Sequence, residues 1–474
     1  MKKQNRFGTI VICLLLLSAF ALGLIGCVAV PQENGEQESL VKYGSESESV
    51  NDKEDTSKQE DTSELEDTSE PEESSDTEEP VEPIVLELLS AVDLMENVTS
   101  DQIVVSEDIK DGNIAMTDFA IRLFKAANEE GKSTLISPLS ILYALAMTAN
   151  GAEGETRAEI EAAIGMSVDE LNIYLYSYMQ SLAQGAKYKL NLANSIWFTS
   201  DERFTVNTSF LQKNADYYGA DIYKAPFDDQ TLQDINSWIA YKTEGLITDA
   251  LDKIPDNAIM YLINTLLFDA EWADMYSEYS VYDGKFTTED GRELDFMMMA
   301  SEENRYLEDD NATGFIKYYS GGKYAFVALL PNEGIAVSEY IATLDGERVS
   351  ALLSGAKNLD VNTVMPKFDA EYDTQMSKVL ESIGIASAFD GGKADFSGLG
   401  TSGAGNIYIS RVIHKTYIEV GEIGTKAGAV TIIEAADECE PIEPPKRVVL
   451  DRPFLYMIID CENNIPIFIG TMME

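Results

Sequence analysis

The chain has 474 residues, 45% of them hydrophobic, enough to bury the core of a globular region several hundred residues long. Its 83 acidic side chains against 34 basic ones give a formal charge of −49, a field that repels phosphate backbones and excludes nucleic acid as a partner. Of the four cysteines, Cys13 and Cys27 lie within or at the end of an N-terminal apolar run and only Cys439 and Cys461 remain in the body, so neither a disulfide framework nor a zinc site follows.

At the N-terminus Lys2, Lys3 and Arg6 precede an apolar run from Ile10 to Ile25, broken by Ser18 and Gly23. These are the basic and hydrophobic regions of an export signal. The run ends in Leu24-Ile25-Gly26-Cys27, which resembles a bacterial lipobox. That resemblance implies removal of residues 1–26 and a lipid on Cys27 as the mature N-terminus. A membrane-spanning anchor is the alternative reading of the segment. Both put the remainder of the chain outside the cytoplasm, and an anchor of two acyl chains holds it on the membrane unless proteolysis sheds it.

Residues 27–110 are expected to form an acidic linker. From Pro31 to Pro83 the composition is Glu, Asp, Ser and Thr, with Glu-Asp-Thr-Ser recurring at Glu54, Glu60 and Glu66. Such a segment cannot bury enough apolar surface to order itself, and its carboxylates keep it extended as a spacer. A partner-binding acidic tail is the other reading. Apolar residues return between Ile84 and Asp111 without a clear period. Order is expected near Ile114, where Met116, Phe119, Ala120, Leu123, Phe124 and Ala127 have the spacing of an amphipathic helix.

Downstream, Leu190 to Phe198 alternates as a strand, and Leu232 to Leu246 is helical with Trp238 on its apolar side. Ile259 to Phe268 and Tyr324 to Leu330 are apolar runs fit for buried strands. The mixture predicts an α+β domain over 111–474 with at least one large sheet.

Two features look chemical. Gly398-Leu399-Gly400-Thr401-Ser402-Gly403 has the glycine spacing of a dinucleotide loop, but it follows no strand and opens no helix, and it reads as a mobile loop. His414, the only histidine, sits among the β-formers Ile407, Ile409, Val412, Ile413 and Tyr417, with no nucleophile elbow nearby. No catalytic residue, metal or cofactor is assigned, and the chain is not expected to be an enzyme. Met297, Met298 and Met299 read as packing.

Several segments, in order, resemble the serpin family. Ser137-Pro138-Leu139-Ser140-Ile141 with Ala144 to Met147 and Gly151-Ala152 is similar to the family's second helix. Asn191-Leu192-Ala193-Asn194 is similar to the strand beneath it, Ile235-Asn236-Ser237-Trp238 to the next helix, and Leu262-Ile263-Asn264 leading to Trp272 to the central strand. Met365-Pro366-Lys367-Phe368, His414-Lys415 and Asp451-Arg452-Pro453-Phe454 complete the series. The resemblance implies a large mixed central sheet, further sheets, eight to nine helices and an exposed reactive-centre loop. It also implies a polar shutter of Ser137, Ser140, Asn264 and His414 beneath the place where the sheet opens, and a breach at Trp272. Asp269-Ala270-Glu271 departs from the family's usual basic and glycine residues before that tryptophan.

The resemblance further implies a monomeric inhibitor whose loop is cut by a serine protease, with cysteine proteases as the alternative, and then enters the sheet as a new strand. Such a strand needs one face that the core accepts. After Glu422 and Gly424, the residues Thr425, Ala427, Ala429, Thr431, Ile433 and Ala435 are all small or apolar, while the charges fall on the other set. Gly424 supplies conformational freedom at the hinge. The family interval from Gly424 places the reactive bond between Glu438 and Cys439, with Asp437 or Glu440 as alternatives, so the inserted strand spans about 45 Å at about 3.3 Å per residue. An acid-specific protease is the leading target; a subtilisin-like one would cut near Ala435 or Ala436. A non-inhibitory surface lipoprotein on the same scaffold is the rival reading.

Overall fold

In the computed structural model, which describes residues 85–106, 109–182, 184–248, 250–255, 258–403, 405–425 and 444–474, the first spaced apolar series forms the helix Lys110–Ala127. It buries Met116, Phe119, Ala120, Leu123, Phe124 and Ala127. The next helix, Pro138–Ala149, is apolar on every side, and all its residues are buried. Its start is specified locally: Ser137 is the N-cap, its hydroxyl accepting the Ser140 N–H, and Pro138 takes the first turn, where no donor is needed. The helix carrying Trp238 is Asp229–Lys242, capped by the Asp228 carboxylate. It stops short of Leu246 because Glu244 and Gly245 turn the chain at φ of 54° and 83°.

A mixed seven-stranded sheet has the order Val92–Asp93, Asp221–Ala225, Tyr188–Thr199, Met260–Glu271, Gly424–Thr425, Arg411–Val420 and Phe368–Gln375. The 260–271 and 411–420 strands pair directly, in parallel, from Tyr261 opposite Arg411 to Asn264 opposite His414. At the other end the two residues Gly424 and Thr425 lie between them, facing Glu271 and Ala270 on one side, with Thr425 facing Val420 on the other. The central pair is thus closed at one end and wedged at the other.

A nine-stranded sheet includes Tyr324–Pro331, buried throughout as its unbroken apolar run predicts. Phe268 of the first sheet meets Tyr324 and Phe468 of the second edge to face, which locates the core between them. Nine α-helices complete the α+β fold among the described residues.

The expected linker boundary at residue 110 needs correction, because residues 85–106 belong to the folded body. Val92–Asp93 adds an edge strand opposite Tyr223 and Lys224. The buried Asp234 carboxylate accepts the N–H groups of Leu89, Ser90 and Ala91 at 3.0, 2.8 and 3.2 Å, and the Ser90 hydroxyl at 2.7 Å. Leu86, Leu88 and Ala91 pack against the cluster around Trp238. Backbone held by a distant carboxylate has no period of its own, so the segment's apolar residues gave no signal.

Candidate functional site

One strand register and one helix start bring the four predicted shutter residues together. Asn264 and His414 are opposite each other on parallel strands, and Ser137 and Ser140 lie at the start of the helix beneath. His414 Nε2 accepts the Ser137 backbone N–H at 3.1 Å, so the ring proton is on Nδ1, which donates to Asn264 Oδ1 at 3.2 Å. Asn264 Oδ1 also accepts the Ser140 hydroxyl, while its Nδ2 donates to the Ser140 carbonyl and, at 2.6 Å, to Asn194 Oδ1. Donors and acceptors match throughout.

His414 is fully buried, and desolvation alone pushes its pKa down to about 3. With Nε2 occupied by a backbone N–H, the neutral imidazole has no free base to offer a nucleophile. Ser137 enters the network through its backbone N–H, its hydroxyl being used on the helix cap. Asn194 is the member that the site prediction missed. Its motif was visible in the sequence, but its position opposite Asn264 is set by strand register.

The second group lies at the wedged end. Trp272 is buried, stacks on Tyr319 with ring centroids 4.4 Å apart and planes within 10°, and donates its indole N–H to the Gly421 carbonyl at 2.8 Å. Its backbone N–H donates to the Ile423 carbonyl at 2.7 Å. The buried Lys317 ammonium lies 5.4 Å from the Trp272 ring and 4.5 Å from that of Tyr276, paired with Glu303 at 2.8 Å. Just before the wedge, Glu422 receives the Lys367 ammonium at 3.1 and 2.9 Å. Burial acts to raise the Glu422 carboxyl, but the Lys367 hydrogen bond and charge outweigh it and hold the group below its ordinary value.

Close packing also calls for glycine at 424: a Cβ there would lie 2.0 Å from the Ala270 carbonyl oxygen. Thr425 is fully buried, its Oγ1 2.6 Å from the Tyr319 hydroxyl. The first residue of the alternating inward set is therefore already seated. The chain rejoins the nine-stranded sheet as Lys446–Val449, parallel to Lys357–Pro366. Ala427, Ala429, Glu438, Cys439 and Cys27 lie outside the described residues.

The glycine-rich segment after Ser397 is not the mobile loop expected. Gly400–Ser402 pairs with Phe204–Val206, and a Cβ on Gly400 would come within 2.2 Å of the Thr205 carbonyl oxygen, so this glycine serves strand packing.

Residues 114–474 match the model of the family described as Serpin (serine protease inhibitor). The chain belongs to the serpin family. Among curated relatives, Iris from Ixodes ricinus is 30% identical over 373 residues, covering 75% of this chain and 97% of Iris. Leukocyte elastase inhibitor from Equus caballus is 29% identical over 365 residues, covering 73% of this chain and 94% of that protein. Among solved structures, the thermophilic serpin tengpin in its native state is 46% identical with a TM-score of 0.79, covering 81% of this chain and 100% of that one. Tengpin in its latent state is 45% identical and superimposes less well, with a TM-score of 0.69, covering 79% of this serpin and 100% of that chain.

Proposed function

We propose that this serpin inhibits an extracellular serine protease as a suicide substrate. The protease serine attacks the carbonyl carbon of Glu438, forming an ester and releasing the amino group of Cys439. The freed N-terminal part of the loop then enters the seven-stranded sheet before water can hydrolyse the ester. The observation that carries this reading is the wedge: Gly424 and Thr425 already lie between the 260–271 and 411–420 strands, and Thr425 is buried there. A strand continuing inward from Thr425 would place its small uncharged residues on the core face. The acidic residue before the bond favours a protease with a basic specificity pocket. The protein acts as a monomer on the outer face of the cell envelope, held through a lipid on Cys27.

The test is incubation of the purified full chain with a glutamate-specific and with a subtilisin-like serine protease, followed by denaturing electrophoresis and mass analysis of the released C-terminal peptide. A covalent adduct and a peptide beginning at Cys439 support both mechanism and bond. Cleavage without adduct by every protease tried overturns inhibition and leaves the non-inhibitory surface lipoprotein as the better reading.

A further inference from the structure

The two seated residues determine where each later residue of an entering strand would go. Gly424 and Thr425 pair antiparallel with Glu271 and Ala270 on one side, and Thr425 pairs antiparallel with Val420 on the other. Before Ala435 the loop carries two charges, Lys426 and Glu434. Continued one residue at a time, the two ladders set Lys426 between Asp269 and Glu419, and Glu434 between Tyr261 and Arg411. The two ladders agree with each other: Tyr261 and Arg411 face one another where the 260–271 and 411–420 strands now pair directly. Those strands must part to admit the loop, but they need not slide.

The faces agree as well. Thr425 points into the core, so Lys426 and Glu434 would fall on the outward side. Asp269, Glu419 and Arg411 are on that side, half-buried or exposed beside the buried Phe268, Ala270, Ile418, Val420 and Val412. The charges already there are unbalanced. Glu419 lies directly opposite Asp369 of the edge strand, and like charges in that relation destabilise a sheet. Burial first, and then the charges of Glu419, Asp369 and Glu371, raise the Tyr417 phenol above its ordinary value. Across the gap, Asp269 belongs to the segment before Trp272 that departs from the family's usual basic residues. It faces Lys189 on its other side. A lysine arriving between Asp269 and Glu419 supplies the cation this face lacks.

We propose that Asp269, Glu419 and Arg411 are positioning residues that set the register of the inserted loop, the first two by pairing with Lys426 and the third with Glu434. A slip of one residue would turn every side chain to the wrong face, so the competing registers lie two residues away. The deeper one sets Lys426 against Leu267 and Tyr417, and Glu434 against Ile259 and Ile409. The shallower one sets Glu434 against Ile263 and Ile413. The register begun at Gly424 is the one of the three that brings opposite charges together at both ends. This inference rests on the insertion reading and adds to it the residues that align the strand.

The test uses the full chain cut in its loop beyond Glu434 by a metalloprotease, whose attacking group is water and which therefore leaves no adduct; mass spectrometry locates the cut. Melting temperatures are read before and after the cut in urea, which is uncharged and leaves ion pairs unscreened. The set is the parent, Lys426→Glu, Asp269→Lys and their double variant, with Glu434→Lys, Arg411→Glu and their double variant as the second cycle. The cut parent is expected to melt above the uncut one. Each loop variant is expected to lose about 2 °C of that gain, with its charge-exchanged partner restoring it, and no such coupling is expected in the uncut protein. Coupling that is absent after the cut, or equal before and after it, overturns the register, while a gain on cutting leaves insertion standing. No gain on cutting the parent overturns insertion itself and this inference with it.

Discussion

The hydroxyls of Thr425 and Tyr319 meet at 2.6 Å with both residues fully buried, and the Tyr319 ring lies flat on Trp272. The first inward side chain of the loop thus has a built seat: a stacked aromatic pair below it and one polar atom to receive its one polar atom. A seat of that kind admits a small residue with a hydroxyl and rejects a charge.

Thr425→Arg puts an unpaired guanidinium where no water reaches. The hinge is expected to leave the sheet, and the protein to be cleaved by its target protease without forming the covalent adduct. Denaturing electrophoresis checks this, and a retained adduct would contradict insertion through this seat. Tyr319→Phe is the milder change. It strands the Thr425 hydroxyl at a cost of about 1–2 kcal/mol, and adding Thr425→Val should recover part of it in a double-mutant thermal melt.

The shutter residues Ser137, Ser140, Asn264 and His414 were named through the resemblance to the serpin family; the sequence itself supplied the reason for their coupling, since polar groups set in apolar sequence must find partners when buried. The buried strands were legible from their local pattern. Asn194, the Lys367 to Glu422 pair and the grip of Asp234 on residues 89–91 were not, since each depends on register or on contacts between segments far apart in sequence. At Gly424 the sequence suggests conformational freedom, whereas the close approach of the Ala270 carbonyl is visible only once the strands are paired.

His414 gives a pH prediction with a definite sign. Burial lowers its pKa from 6.5 to about 3, so between those values the unfolded chain holds a proton that the native state refuses. Its contribution to stability is complete above pH 6.5 and is lost as pH falls toward 3, by up to about 1.4 kcal/mol per pH unit. His414→Gln is expected to melt lower than the parent at pH 7.5 but to lose less on acidification to pH 4.5. Equal losses in the two proteins would mean that the imidazole titrates normally in the folded state.

Asp234→Ala removes the acceptor shared by three backbone N–H groups and the Ser90 hydroxyl. The segment around residues 85–93 is expected to come off the sheet edge, at a cost of about 1.5–3 kcal/mol for a hydrogen-bonded charged group. Hydrogen exchange at Leu89, Ser90 and Ala91 checks it. Protection equal to the parent's would show that the Val92–Asp93 pairing and the apolar contacts hold the segment by themselves.

The proposed lipid anchor predicts that Cys27→Ala moves the protein from the detergent phase to the aqueous phase on partition. Unchanged partition would favour the spanning-helix reading of the N-terminal segment.

Two changes at the hinge separate close packing from charge as the force that holds it. The Lys367 and Glu422 side chains are 40% and 35% exposed, and pairs that meet water to this extent contribute about 1 kcal/mol or less. Gly424→Ala instead drives a methyl group toward the Ala270 carbonyl, at 2.0 Å before any adjustment. Relief requires the wedge to move out of the strand pairing, with a cost of about 1–3 kcal/mol typical of overpacking. Gly424→Ala is therefore expected to lower the melting temperature more than Lys367→Ala and to raise the fraction of inhibitor consumed as plain substrate, because the entering strand must pass the same carbonyl. If Lys367→Ala has the larger effect on both, the ion pair rather than the fit of the backbone secures the hinge.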